Sequence, residues 1–411
     1  MKLTWGRARR AAIALGAAVA TALSLAPAAA SADAQADAEA ASRKPVLEAF
    51  WGGSPSADQV PWEMVNTISY FFASPAGGHC DKPNDKQRKD ILSLQAVKRA
   101  HPGLTVLVSI GGWAAPGFSA GAATAESRRA FVSSCVDNWV RSFPAGLVDG
   151  LDVDWEFPVY GGLPEIGSSP ADKENLNHLL VEFRQQLNSY AREAGRRQPM
   201  KLSIDIPAGR RQDDGTGKNV GAPYDQSKSF DLRTIGRLVD IFNLMTYDLC
   251  TGYATVSCFN DPLVKRPDDP NDRYNNDTGA LEYMKAHGVP EHKIVLGVPF
   301  YGRSFTVTSA ANGGLYQPYT ATEFLNYKDL VGPKWIGNPD FVQGWDPIVR
   351  SPYLWNAKTK TWVNYANPRS IQDRSRFARN NGLKGMMMWE IGLDDPQHSL
   401  LAAMTGPWLD R

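Results

Sequence analysis

From Val46 onward, short apolar runs with a strand period alternate with longer amphipathic stretches of helical period. VNTISYFFA (65–73) precedes a helical pattern around KDILSLQAVKRA, LTVLVSIGG (104–112) precedes ESRRAFVSSCVDNWVRSF, and VDGLDVDWEF precedes DKENLNHLLVEFRQQLNSYAREAG. MKLSIDIPAG, VDIFNLMTYD, KIVLGVPFYG and KGMMMWEIG continue the series, which makes about eight strands when Val46 to Trp51 is counted as the first. That order predicts an α/β protein built as a (β/α)8 TIM barrel, with an open doubly wound sheet as the alternative left by periodicity alone.

The interval between the seventh run (293–301) and the eighth (384–390) is too long for one helix. It holds SFTVTSA, PYTATEFLNYKDLV and YLWNAKTKTWVNYA, which read as strands and one helix. The expected organisation is therefore a barrel over 44–303 and 367–411 with a small α+β insertion over 304–366, rich in Trp and Tyr.

Within the fourth run, 149–158 reads DGLDVDWEFP. Side chains on a strand alternate faces, so Asp152, Asp154 and Glu156 share one face while Leu151, Val153 and Trp155 take the other. In a barrel the apolar face packs on the outer helices, and the acids point inward and climb toward the C-terminal rim. A calcium loop is a poorer account, because the turn-making Gly and terminal Glu spacing of an EF-hand are missing. Apolar flanks on both sides also argue against a solvated edge strand.

Residues 1–32 carry a basic start (MKLTWGRARR), an apolar run and a small-residue site at Ala30-Ser31-Ala32, the pattern of a cleaved secretory leader. Residues 33–43 read as a linker. Export and an extracellular location are expected, without a membrane anchor. Removing the leader takes away Lys2, Arg7, Arg9 and Arg10, so the net charge falls from +1 to about −3, which disfavours nucleic acid as a partner. Four Cys fit an oxidising compartment: Cys250 and Cys258 close a short loop and are the favoured pair, leaving Cys80 with Cys135, although sequence leaves three connectivities open. No Cys-x-x-Cys or clustered His near them suggests a metal. Twelve Trp, 14 Tyr and 16 Phe exceed core needs if some face outward, as suits stacking on sugar rings.

The run Asp149-x-x-Asp152-x-Asp154-x-Glu156 resembles the signature of family 18 glycoside hydrolases, the chitinase family. Ser109-Ile-Gly111-Gly112-Trp113 resembles the family's third-strand motif, Met245-Thr-Tyr247-Asp248 its sixth-strand motif and Trp389 its eighth-strand tryptophan, and the insertion sits where the chitinase-like branch carries one. The resemblance implies catalytic roles for Glu156, Asp154, Asp152 and Tyr247. Glu156 would be general acid and then base. Asp154 would hold the acetamido N–H of the sugar, whose own carbonyl oxygen attacks the anomeric carbon with net retention. Tyr247 would bond the acetamido oxygen, with Asp248 and Met245 in the same subsite and Trp389 as its floor. Asp149, Ser109, Gly111 and Gly112 would support the acidic strand, while Trp113, Tyr160 and Trp51, with Trp335, Trp345 and Trp355 beyond them, are candidates to bind sugar.

The implied substrate is chitin or N-acetylglucosamine oligomers, cleaved by a secreted monomer without metal or organic cofactor. An endo-β-N-acetylglucosaminidase acting on N-glycans and a non-catalytic chitin-binding lectin are the rivals. Three places depart from the family pattern. Phe71 stands where relatives more often have a small residue and Asp205 where small or apolar residues are usual, and VLEAFWGG lacks the usual tyrosine beside the inner Asp, with Phe50 or Trp51 in its neighbourhood.

Overall fold

The computed structural model describes residues 44–210 and 224–409. The expected leader and linker lie outside the described residues. In chain order the strands are β1 (Val46–Trp51), β2 (Thr67–Ala73), β3 (Thr105–Gly111), β4 (Gly150–Asp154), β5 (Lys201–Pro207), β6 (Ile241–Met245), β7 (Ile294–Pro299), β8 (Tyr301–Val307), β9 (Tyr319–Asn326), β10 (Val342–Asp346), β11 (Ser351–Asn356), β12 (Thr361–Tyr365) and β13 (Gly385–Trp389). The principal helices are α1 (Asp85–Ala100), α2 (Ala125–Val136), α3 (Asp172–Glu193), α4 (Leu232–Leu238), α5 (Asp277–Ala286), α6 (Pro368–Asn380) and α7 (Ser399–Leu409).

Strands β1 to β7 and β13 close into a parallel barrel in sequence order, β13 bridging β7 and β1. The expected TIM barrel is present, and the open sheet is excluded by the β13 pairing. Helix α3 shows how the outer layer forms: Leu176, Leu179, Leu180, Phe183, Leu187 and Tyr190 recur at helical spacing and are buried on one stripe. Asn84 and Asn367 start α1 and α6 by accepting from the backbone N–H three residues on, each in a reciprocal capping box.

The insertion is a five-stranded antiparallel sheet in the order β10-β11-β12-β8-β9. It begins at Tyr301, earlier than the 304 expected, because the seventh apolar run is two strands rather than one. The Phe300 N–H leaves the ladder to donate to the Trp389 carbonyl at 2.8 Å, and Tyr301 then pairs with Asn326. Two disulfides join Cys80 to Cys135 and Cys250 to Cys258, the favoured connectivity. No helix among the described residues is long and apolar enough to cross a membrane.

The inside of the barrel departs from the usual filling of branched apolar side chains. Glu48 of β1, Ser69 of β2, Ser109 of β3, Asp152 of β4, Ser203 and Asp205 of β5 and Asn243 of β6 are all buried. They partner one another: the Ser69 hydroxyl donates to Glu48, the Ser109 hydroxyl to Asp152, and the Asn243 amide to Ser203. A polar core of this kind is tolerated only when its members satisfy each other. Its location under the C-terminal rim is what carries charge to the site.

Candidate active site

Strand β4 delivers the acids as its alternation requires. Leu151 and Val153 are fully buried on the helix side, while Asp152 is fully buried and Asp154 4% exposed on the inner side. Register places Ser109 and Ser203 on either side of Asp152, and Gly111 beside Asp154. Small or hydroxyl-bearing neighbours leave room for the carboxyls and give Asp152 a donor, Ser109 Oγ at 2.6 Å from Oδ2. Gly111 has φ 119°, and a Cβ there would lie 2.0 Å from the Asp154 carbonyl oxygen. Gly112, at φ 92°, donates its N–H to that same oxygen at 2.9 Å, and a Cβ on it would strike the Phe72 ring. The two glycines thus lock β3 against the end of β4, where only residues without a side chain fit.

Above the acids lies a cavity of about 650 Å³, within the range of small-molecule sites. Asp154, Glu156, Asp205, Met245, Tyr247, Asp248, Trp113 and Trp389 all contribute to its wall. Asp152 is fully buried and outside that wall, and its charge acts on Asp154. Burial, then the nearby charges of Glu156 and Asp152, push the Asp154 carboxyl well above the usual carboxylate range. Burial raises Asp152 as well, opposed by the hydrogen bond from Ser109. The Tyr247 phenol is raised too, by burial and then by Asp205, and stays a donor; its hydroxyl sits 3.8 Å from Met387 Sδ. Gly297 of β7 makes space for this ring, since a Cβ there would come within 2.8 Å of it.

Trp389 ends β13 against three phenylalanines, with ring centroids 4.7 Å from Phe71, 5.6 Å from Phe72 and 5.6 Å from Phe50. Phe71, one of the unusual residues, therefore braces the tryptophan from behind.

Two residues expected to bind sugar are not brought to the cavity. Trp51 points to the outer side of β1, 1% exposed, packed on Trp62 and Tyr70 with its indole N–H on the Pro55 carbonyl. Tyr160 packs on Tyr224 and exchanges hydrogen bonds with the Asp225 backbone. Asp149 is likewise remote from the cavity: paired with Lys98 and Arg196, it accepts from the Val106 N–H and ties the lower ends of β3 and β4 together. Of the insertion's tryptophans, Trp335 is buried, Trp345 lies under the Arg369 guanidinium, and Trp355 covers Gly314.

Exposed aromatics reach the cavity from elsewhere: Phe324 of β9 and Tyr253 of the Cys250–Cys258 loop, beside Arg303 of β8. No strand-period signal distinguishes them, since Phe324 comes from the insertion and Tyr253 from the disulfide-closed loop after β6. Glu48, rather than Phe50 or Trp51, stands beside Asp152, and the charge of Asp152 adds to burial in pushing its carboxyl up to about 8. That position was legible in principle, because Leu47, Ala49 and Trp51 alternate with Glu48 and Phe50.

The family model of glycosyl hydrolases family 18 matches residues 47–394. The chain belongs to glycosyl hydrolase family 18. Among the proteins it is similar to, Chitinase A1 of Niallia circulans is 32% identical over 81% of this chain, and the endochitinase of Manduca sexta 27% identical over 84%. The chain spans 46% and 61% of the length of these two. A solved family 18 N-acetylglucosaminidase from Paenibacillus barengoltzii superimposes with a TM-score of 0.76 at 27% identity, covering 88% of this chain and 99% of its own.

Proposed function

We propose that this chain is a secreted, monomeric chitinase that cleaves β-1,4-linked N-acetylglucosamine with retention, using the substrate's own acetamido group as nucleophile. The observation that carries the reading is the convergence of Asp154, Glu156, Tyr247 and Trp389 on one cavity. Glu156 gives its carboxyl proton to the glycosidic oxygen as the bond to C1 breaks. The acetamido carbonyl oxygen attacks C1 to form an oxazolinium ion, with its N–H held by Asp154 and its oxygen facing the Tyr247 hydroxyl. Water then adds to C1 from the face the leaving group vacated, its proton returns to Glu156, and the oxazolinium C–O bond breaks. Because the nucleophile belongs to the bound sugar, correct orientation can contribute roughly 7–11 kcal/mol. The reaction needs no metal or organic cofactor.

Arg303, Thr322 and Phe324 of the insertion raise one wall of the cavity, which suits a chain of sugars. This favours chitin over the N-glycan core, and the presence of Glu156 argues against a lectin. The test is a product time course from N-acetylglucosamine oligomers with anomer detection, beside a glycoprotein substrate. Retained β-anomer from the oligomers is expected, with losses of orders of magnitude in Glu156→Gln and Asp154→Ala. Inverted product, or near-normal rates in either folded variant, would refute the reading.

A further inference from the structure

Asp205 of β5 faces into the barrel and extends the acidic face of β4 onto the next strand. Val153 pairs with Ile204, so Asp205 stands one step further, alongside Asp154, with Asn243 of β6 on its other side. It is 2% exposed and contributes to the cavity wall, and its carboxyl and that of Asp152 act on each other. The groups acting on it are Asp152 and Asp154 of β4 and Glu48 of β1, all acidic, and it acts in turn on Tyr247 beyond β6. The buried Oδ1 atoms of Asp152 and Asp205 meet no N–H or O–H donor among the described residues. Two neighbouring carboxyls buried without a donor for these oxygens resist ionising together, and one proton between them removes the repulsion.

Burial, then Asp152 and Asp154, raise Asp205 well above the carboxylate range, whereas Asp152 accepts from Ser109. With the Ser109 hydroxyl already donating to Asp152, the shared proton is assigned to Asp205. On the reading above, Asp154 must serve the acetamido group during the reaction. Asp152 is then left as a buried carboxylate, stable only if other donors hold it.

We propose that Asp205 is a positioning residue for hydrolysis: its carboxyl O–H donates to Asp152 and holds that carboxylate in place when Asp154 turns to the substrate. The proton stays on Asp205 throughout, so no transfer step is added to the reaction. A small or apolar residue at this place would leave Asp152 to its serine neighbours alone.

The test compares the wild-type protein with Asp205→Asn, which keeps a donor, and Asp205→Leu, which keeps the volume without one. Rates on the N-acetylglucosamine tetramer are followed from acid to neutral pH. Asp205→Asn is expected within about threefold of wild-type kcat with an unmoved acid limb. Asp205→Leu should lose about tenfold or more in kcat with KM little changed, and its acid limb should move up by about one pH unit, because Asp152 without its donor keeps a proton longer. An unmoved limb in Asp205→Leu, or equal loss in Asp205→Asn, would overturn the proposal. Infrared spectroscopy at neutral pH supplies a reading independent of turnover and of whether Asp205→Leu folds: the C=O stretch of one protonated carboxyl should vanish in Asp205→Asn. Its persistence would also overturn the proposal. If instead the wild-type protein releases inverted product while the infrared band behaves as expected, the functional reading fails and the protonated Asp205 stands.

Discussion

The Ser109 hydroxyl donates to Asp152 across 2.6 Å, joining the inner faces of two adjacent barrel strands. A hydrogen bond to a buried charged group contributes about 1.5–3 kcal/mol. Ser109→Ala should therefore destabilise the fold by about that amount in chemical denaturation. The bond also favours the carboxylate form of Asp152, so its loss should move the acid limb of kcat/KM upward. A fall in rate with an unchanged pH profile would mean that Ser109 only fills space.

Glu48 ties stability to pH. Its folded-state pKa, about 8, lies above the ordinary 4.5 of the free side chain. Between these values the unfolded chain releases a proton that the folded protein retains, so this group costs stability progressively as pH rises, levelling above about 8. Glu48→Gln should remove this slope and leave the variant more stable than wild type at pH 8, as urea midpoints at pH 5 and pH 8 will show. A wild-type slope in the variant would assign the pH dependence elsewhere.

Gly297 tests the placement of Tyr247 without touching substrate. A methyl group there would meet the tyrosine ring and the Leu244 carbonyl oxygen, each at 2.8 Å. Gly297→Ala should lower kcat through a displaced hydroxyl. Tyr247→Phe should leave stability nearly unchanged and reduce kcat about 10²-fold, the scale of misplacing a bound nucleophile. Thermal melts beside the kinetics separate the two effects.

The disulfides should differ in what they contribute. Cys80–Cys135 closes a separation of 55 residues and Cys250–Cys258 one of 8, so loop-closure entropy assigns about 4 and about 2.5 kcal/mol respectively. The shorter loop carries Tyr253 at the cavity edge. Replacing Cys250 and Cys258 by Ser should raise KM for long oligomers more than it lowers the melting temperature, and replacing Cys80 and Cys135 should do the reverse.

Much of this was written in the chain. Period two in DGLDVDWEFP fixes which acids share a face, because a strand has only two faces, and the alternation of strand and helix periods fixes the barrel. The same rule applied to VLEAFW places Glu48 inward with Phe50 and sends Trp51 to the outer layer, where the structure has it. Tertiary structure decided what lies across the barrel and above it. That Glu48 of β1 meets Asp152 of β4, that Asp205 of β5 stands alongside Asp154, and that Phe324 arrives from the insertion depend on pairing and closure between strands far apart in sequence. Local periodicity sets the direction of a side chain but carries no information about its distant neighbours, and here those neighbours set its charge.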